Sequence, residues 1–445
     1  MQSPSPAASA SRWLLPDSVF DGQHLVADRA VGLEGTRIAA VVPFDVARAE
    51  AARTGAPLER LHGRALLPGF VNAHSHAFQR GLRGHVQHAS EDTDDFWTWR
   101  THMYALANAL DPDALEAASA RAFSEMLAAG YTSVGEFHYL HHAPDGTRYA
   151  DPDELALRVN AAAERVGIRI VLLRVAYARA GFGVAENPLQ RRFLDRDPDE
   201  VLAALARLRA RGIRAGLAPH SVRAVPKAWL ETFARAGIEG PVHAHVDEQP
   251  GEIAACLAEY GRRPLQVFDD AGLLDPSFTA VHLTHPDADE ISRLRRSGAG
   301  VCACPSTELD LGDGFLPLQS LDCDPASGPP RVSIGSDSHA LIDPFAELRA
   351  LEWHARAQAG RRNVLRHAPE PDGLAARLIA MGTRIGAEQL GLEAGTLAPG
   401  QLADLIALDL THPSLADAAV LPAIVFAGGP ALVREVWVGG RKRRG

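Results

Sequence analysis

The chain has almost no lysine and little cysteine. Lys227 and Lys442 are the only lysines among 45 basic residues, and there are four cysteines in 445 residues. Cys256, Cys302, Cys304 and Cys323 are too few and too irregularly spaced for a disulfide framework or a C-x-x-C zinc site. Cys302 and Cys304 share a strand face and read as core residues. No apolar run is long enough to cross a bilayer, so a membrane is not an expected partner. Met1 to Ala10 lack both the basic start and the apolar stretch of a signal peptide. They read as part of a disordered tail, residues 1–12, and the cytoplasm is the expected compartment. Basic clusters are also missing outside Arg441-Lys442-Arg443-Arg444, and the net charge is −10, which argues against nucleic acid as a partner. That tetrad reads as a solvated tail.

What is present is an ordinary globular composition, 46% hydrophobic and 22% charged, in a chain long enough for one large domain and a smaller one. Short alternating apolar pieces occur from Trp13 to Leu66 (His24-Leu25-Val26, Arg37 to Val42, Ala65-Leu66). They return in Gly395 to Asp409 and Val433 to Arg441. This pattern predicts a small β-sandwich domain built from both ends, 13–66 with 391–445, around an inserted domain, 67–390. The insert alternates strand and helix patterns eight times. Its strands are predicted at Leu66 to Ala73, Thr132 to Phe137, Arg169 to Ala176, Arg214 to Ala218, Val242 to Val246, Phe278 to Leu283, Gly300 to Cys304 and Arg331 to Gly335. The intervening helical stretches often open with Asp-Pro or Pro, which suits a helix start. Eight βα units over roughly 320 residues predict an α/β fold of the (β/α)8 TIM-barrel type rather than a doubly wound sheet.

Chemistry in such a barrel belongs at the C-terminal strand ends. The first strand runs out into His74-Ser75-His76, two imidazoles at i and i+2 on one side of a strand. Other ends carry Glu136-Phe137-His138-Tyr139, His220-Ser221-Val222-Arg223, His243-Ala244-His245-Val246-Asp247-Glu248, His282-Leu283-Thr284-His285 and Ser336-Asp337-Ser338-His339. Six of eight ends with His, Asp or Glu is hard to reconcile with core packing alone. Three imidazoles and a carboxylate suit zinc or a similar ion, which lowers the pKa of a bound water to about 7. Spacing does not choose between His243 and His245, which share a side; the His-x-x-Glu relation to Glu248 favours His245. A second metal would need a bridge such as a carboxylated lysine. Neither lysine is at a strand end, so a single ion is expected. Asp337 has the clearest case, since a Gly-Ser-Asp turn ends the last strand.

These motifs, with Leu67-Pro68-Gly69-Phe70-Val71-Asn72-Ala73-His74-Ser75-His76, Cys304-Pro305-Ser306-Thr307-Glu308-Leu309-Asp310 and Gly335-Ser336-Asp337-Ser338, resemble the amidohydrolase superfamily in its mononuclear deaminase branch. Within that branch the segments His74 to Arg80, Phe96 to Arg100, Glu136 to His142 and Ala218 to Arg223 are most similar to the formiminoglutamate deiminases of histidine breakdown. The resemblance implies metal ligands His74, His76, His245 and Asp337, and one divalent ion, Zn2+ first among candidates. It also implies proton transfer by Glu248, His282 and Asp337, substrate contacts from Gln79, Arg100, Tyr139, His220 and Arg223, and a homodimer. The implied reaction is hydrolysis of N-formimino-L-glutamate to N-formyl-L-glutamate and ammonia, by a metal-bound hydroxide. An aromatic-amine deaminase acting on guanine or an adenosine derivative is the alternative. Two arginines near a metal favour the dianionic substrate, because a guanidinium fork holds a carboxylate through two hydrogen bonds. His138, His141, His142 and His285 read as loop or supporting residues. The segment Gly81 to Asp111 is the candidate for closing over substrate.

Overall fold

The computed structural model describes residues 10–87, 95–321, 331–366 and 371–445; Cys323, most of the expected tail and residues 88–94 of the candidate closing segment lie outside them. The chain opens with β1 (Arg12–Phe20), β2 (Leu25–Ala27), β3 (Arg29–Glu34), β4 (Arg37–Pro43) and β5 (Leu58–Pro68). Then follow β6 (Phe70–Ser75), β7 (Tyr131–His138), β8 (Arg169–Ala176), β9 (Ala215–Pro219), β10 (Val242–Val246), β11 (Phe278–His282), β12 (Gly300–Ala303) and β13 (Val332–Ile334). It ends with β14 (Leu405–Asp409), β15 (Val433–Val438) and β16 (Arg441–Arg444).

Strands β6 to β13 pair in chain order, each parallel to the next, with helices between them. That is the expected (β/α)8 barrel. Three of the four aspartates read as helix starts cap: Asp111, Asp197 and Asp287 accept from the N–H of Ala114, Glu200 and Glu290 at 2.7, 2.8 and 2.9 Å, each stabilising its helix by about 1 kcal/mol. The helix expected from Asp151 instead starts at Glu154 without a side-chain cap. The ring closes through the site itself. Asp337 N–H donates to His74 O at 3.1 Å and His76 N–H to Asp337 O at 3.1 Å. Gly335 is required there, because a Cβ on it would stand 2.8 Å from the His74 carbonyl oxygen. Cys302 and Cys304 are fully buried in a small cluster with Ala73 and Val281, as core residues.

Strands from both chain ends form the second sheet, in the order β16-β15-β14-β5-β1-β3-β4 with β2 on β1. A bridge between Arg37 and Leu402 links β4 to the segment leading into β14. The curled sheet therefore buries one core, with Leu14, Ile38, Leu405 and Trp437 drawn from strands far apart in its order. The ion pair of Arg169 at the base of β8 with Asp404, two bonds of 2.7 and 2.9 Å, ties this sheet to the barrel's lower end.

Three local expectations are corrected. Leu66–Ala73 is not one strand: Leu66 to Pro68 end β5 in the terminal sheet, and the barrel strand starts at Phe70. The break falls at Gly69, where a Cβ would stand 2.2 Å from the Thr132 side chain. Ala10 to Arg12, placed with the tail, are packed instead: Arg12 opens β1, Ser11 N–H donates to Leu33 O and Ala10 is buried in the core cluster of Trp13 and Leu15. Arg441–Arg444 is exposed but is strand β16, returned onto β15 by Gly439 and Gly440 at φ 55° and 69°, a glycine hairpin turn. No described helix is long and apolar enough to cross a membrane.

Candidate active site

The C-terminal ends of the barrel strands are where the backbone is strained. Among the described residues, eight non-glycine residues have positive φ, and five of them (Asp247, His282, Leu283, Asp337 and His339) follow or end β10, β11 and β13. Each costs on the order of 1–3 kcal/mol, which the surrounding hydrogen bonds and packing must over-determine.

His74, His76, His245 and Asp337 converge there, all buried. His74 Nε2 lies 3.2 Å from His76 Nε2 and 3.2 Å from His245 Nε2. Asp337 Oδ1 is 3.3 and 3.1 Å from the same nitrogens of His74 and His76. The second nitrogens decide the tautomers. His76 Nδ1–H donates to Phe137 O and His245 Nδ1–H to His220 O, both at 3.0 Å, so each presents an Nε2 lone pair to the centre. Only His74 has an N–H left for this cluster, and its Nδ1 has no partner. Burial keeps His74 neutral, pushing its pKa down to about 3, and takes His245 well below the ordinary range. Several lone pairs facing one carboxylate are short of donors, and a cation supplies what is missing. Donor atoms about 2.0–2.1 Å from a tetrahedral ion stand roughly 3.3 Å from one another, which matches these separations. The residues therefore fit a divalent metal. His243, the alternative to His245, is deeper in the barrel, with Nε2–H on Gln389 O.

His282 stacks on His245, ring centroids 5.4 Å apart at 13°. Its Nε2 faces Glu248 Oε1 at 3.7 Å and Asp337 Oδ2 at 3.9 Å. On the other side Nδ1 meets Glu308 Oε1 at 3.3 Å, and that oxygen also accepts the Cys304 N–H at 2.7 Å. Burial disfavours the charged ring, but Glu248, Glu308 and Asp337 outweigh it and raise the His282 pKa well above its usual value. Burial likewise raises Glu248, partly offset by His282 and Arg223.

A cavity of about 40 Å³ opens beside the cluster, walled by all five expected substrate residues together with His76, His245, Glu248 and Asp337. Gln79 Nε2–H donates to Tyr139 Oη at 2.7 Å, and its Oε1 is free. His220 stands 4.8 Å from both the His245 and Tyr177 rings, centroid to centroid. Arg100 lies on the helix Phe96–Ala109, inside the candidate closing segment. Asp95 caps that helix, accepting from Trp97 and Thr98 N–H at 2.8 and 3.1 Å. The Arg100 side chain rests on Tyr104 Oη and the Ala180 carbonyl. Arg223 is 6% exposed, and neither its Nε nor its Nη1 has a partner.

His74 and His282 stand behind the cavity wall. His138, His141 and His142 turn elsewhere, His141 to Arg174 at 2.6 Å. Two strand ends that looked empty also contribute: Tyr177 after β8 lines the cavity, and Glu308, on the helix Pro305–Leu311 after β12, meets His282 behind the wall. Tyr104 was legible in principle, four residues after Arg100 on one helix; Glu308 lies within the Cys304 to Asp310 motif, which by itself names no partner for it. Lys227 and Lys442 pair with Glu231 and Glu59, away from the centre.

Comparison with known proteins agrees with this geometry. Residues 65–443 match the model of the amidohydrolase family. The chain is 43% identical to formimidoylglutamate deiminase of Pseudomonas aeruginosa, over 86% of this chain and 85% of that protein. It is 30% identical to a 5-methylthioadenosine/S-adenosylhomocysteine deaminase of Teredinibacter turnerae, over 97% and 90%. Among solved structures, an amidohydrolase from Brucella melitensis superposes with a TM-score of 0.86 at 33% identity, covering 97% of this chain and 95% of that one. An adenosine deaminase from Xanthomonas campestris with bound zinc superposes at 0.80 and 26%, covering 98% and 93%. With its barrel, its terminal sheet and its buried His/His/His/Asp cluster, the chain belongs to the amidohydrolase family.

Proposed function

We propose that the protein hydrolyses N-formimino-L-glutamate to N-formyl-L-glutamate and ammonia, the deiminase step of histidine breakdown. The observation that carries this reading is the pair Arg100 and Arg223 on the wall of the same cavity as the three-histidine, one-aspartate cluster. A substrate with two carboxylates supplies what these guanidinium groups lack. The 43% identical relative is named for this activity.

His74, His76, His245 and Asp337 would hold one divalent ion, zinc by the chemistry of the donors, which when bound supplies Lewis acidity and a water acidic enough to attack near neutral pH. Arg100 and Arg223 anchor the carboxylates, and Gln79, Tyr139 and His220 complete the walls that direct the formimino carbon toward the cluster. Asp337 Oδ2 would accept the proton taken from the attacking water, and the positively charged His282, its Nε2 3.9 Å away, would hold that carboxylate in place. Glu248, beside His282 on the cavity wall, delivers a proton to the departing nitrogen, so that water and the C=N carbon become a formyl group and ammonia. Glu308 keeps His282 turned so that Nε2 meets both carboxylates.

We further take the protein to act in the cytoplasm as a homodimer, with a terminal β domain (13–66 and 391–445) and a catalytic barrel (67–390); sizing in solution tests the dimer. The assay for the activity is ammonia release by zinc-loaded protein from N-formimino-L-glutamate, guanine and an adenosine derivative, compared side by side. A kcat/KM of about 10⁴ M⁻¹s⁻¹ or more for formiminoglutamate alone is expected. Release from a purine instead overturns the roles given to Arg100 and Arg223.

A further inference from the structure

Arg223 stands between two cavities. It lines the small inner one beside the metal cluster and also an outer one of about 350 Å³, walled by Trp97, Phe182, Gln190 and Glu252. Glu252 belongs to the outer cavity alone. It sits in the first turn of the helix Pro250–Tyr260, which begins just after Glu248, and its side chain is fully buried. Among the described residues, both its carboxylate oxygens lack a hydrogen-bond partner. The nearest approach is Arg223 Nη1 to Glu252 Oε1, 3.9 Å, too long for a hydrogen bond. The rings of Phe96 and Trp97 lie 6.0 and 5.9 Å from the guanidinium carbon.

Two arginine–carboxylate pairs elsewhere show the closed arrangement. Arg169 holds Asp404 at 2.7 and 2.9 Å, and Arg207 holds Asp153 at 3.0 and 2.9 Å, each through two bonds. The pair of Arg223 and Glu252 is different: opposite charges are buried together, yet neither spends its hydrogen-bonding capacity on the other. The charge of Glu252 makes a buried guanidinium tolerable in the empty site, while the unengaged N–H groups remain for a ligand in the inner cavity.

We propose that Glu252 is a positioning residue acting through Arg223, a built-in carboxylate that competes with the substrate's carboxylate for the same guanidinium and so limits how tightly dianions are held. The inference rests on the dicarboxylate reading of the site. Substrate and product both keep their carboxylates through the reaction, so a site that bound them with full strength would also retain the product. Glu252 weakens both and favours release.

The test is calorimetric titration of zinc-loaded, full-length protein with N-formyl-L-glutamate, alongside KM and kcat for formiminoglutamate. Glu252→Gln removes the competing charge and is expected to tighten N-formyl-L-glutamate binding on the order of tenfold, with KM falling in parallel and kcat not rising. Glu252→Asp draws the carboxylate back by one methylene, and its affinity is expected between wild type and Glu252→Gln. In a Glu252→Gln, Arg223→Met double variant the tightening is expected to vanish. A merely structural role for Glu252 gives the reverse order, with both single variants binding more weakly, and that result overturns the proposal. So does equal affinity in all three proteins. If Glu252→Gln does not fold, tighter or weaker binding by Glu252→Asp decides alone. Wild type that ignores N-formyl-L-glutamate but deaminates a purine overturns the substrate reading and this inference together; wild type that binds it without the expected order overturns only the inference.

Discussion

The two halves of the active site are built in opposite ways. On the metal side almost every group is held from behind: His76 by Phe137 O, His245 by His220 O, His282 by Glu308, and Asp337 by backbone bonds that also close the barrel. On the substrate side the polar groups are left wanting. Gln79 Oε1, Arg223 Nε and Nη1, and both oxygens of Glu252 have no partner. A metal needs ligands fixed before it arrives, whereas a charged substrate brings the missing partners itself. In this cavity, burial without a partner, which is costly in a core, falls on groups that a charged ligand can complete.

If that contrast is right, the largest losses come from the fixed half. His245→Asn is expected to abolish stoichiometric zinc and lower ammonia release by on the order of 10³-fold or more; metal analysis with the rate assay checks both, and full activity without metal would break the division. Glu248→Gln is expected to keep the zinc and lose about 10² to 10⁴ in kcat. An unchanged rate there would remove Glu248 from the proton transfer.

How much of this division was visible in the sequence differs between the halves. His74, His76, His245 and Asp337 were legible because each ends a strand of a countable barrel, and strand alternation fixes which side a residue takes. Strand alternation left His243 and His245 open; the His-x-x-Glu relation to Glu248 chose His245, and the depth of His243 along β10 agrees with that choice. Glu308 and Glu252 were given no role, since they reach the site from helix starts rather than strand ends and their partners are 26 or more residues away. Tyr177, at the end of β8, carries neither the imidazole nor the carboxylate that marked the other ends. The Leu66–Ala73 strand was misread for a similar reason: one apolar run serves two sheets, and only the close contact of Gly69 with Thr132 shows where it divides. The helix that carries Arg100 was missed because its aromatic start hid the Asp95 cap.

Smaller effects belong to the open half. Arg100→Met and Arg223→Met are each expected to lower kcat/KM for formiminoglutamate by about 10- to 100-fold, mainly through KM and with zinc retained. Loss of metal in either variant would blur the contrast instead of sharpening it. The smallest effect tests a buried carboxylate outside both halves. Glu347 accepts from the Ser306 N–H at 2.9 Å and from its hydroxyl, yet burial still raises its pKa to about 8. In the unfolded chain it ionises near its ordinary value, so folding holds a proton there. Its contribution is unpenalised below the unfolded pKa, about 4.5, and stability is lost as pH rises from there toward 8. Glu347→Gln is expected to flatten that part of the Tm–pH curve, and a wild-type slope in the variant would contradict the assignment.

The central claim is that the open half reads two carboxylates. The most direct measurement compares kcat/KM for N-formimino-L-glutamate with that for N-formimino-L-glutamine, which keeps the reacting group and neutralises one carboxylate. A fall of about 10²-fold, carried by KM, is the predicted result. Equal kcat/KM for the two compounds would contradict it.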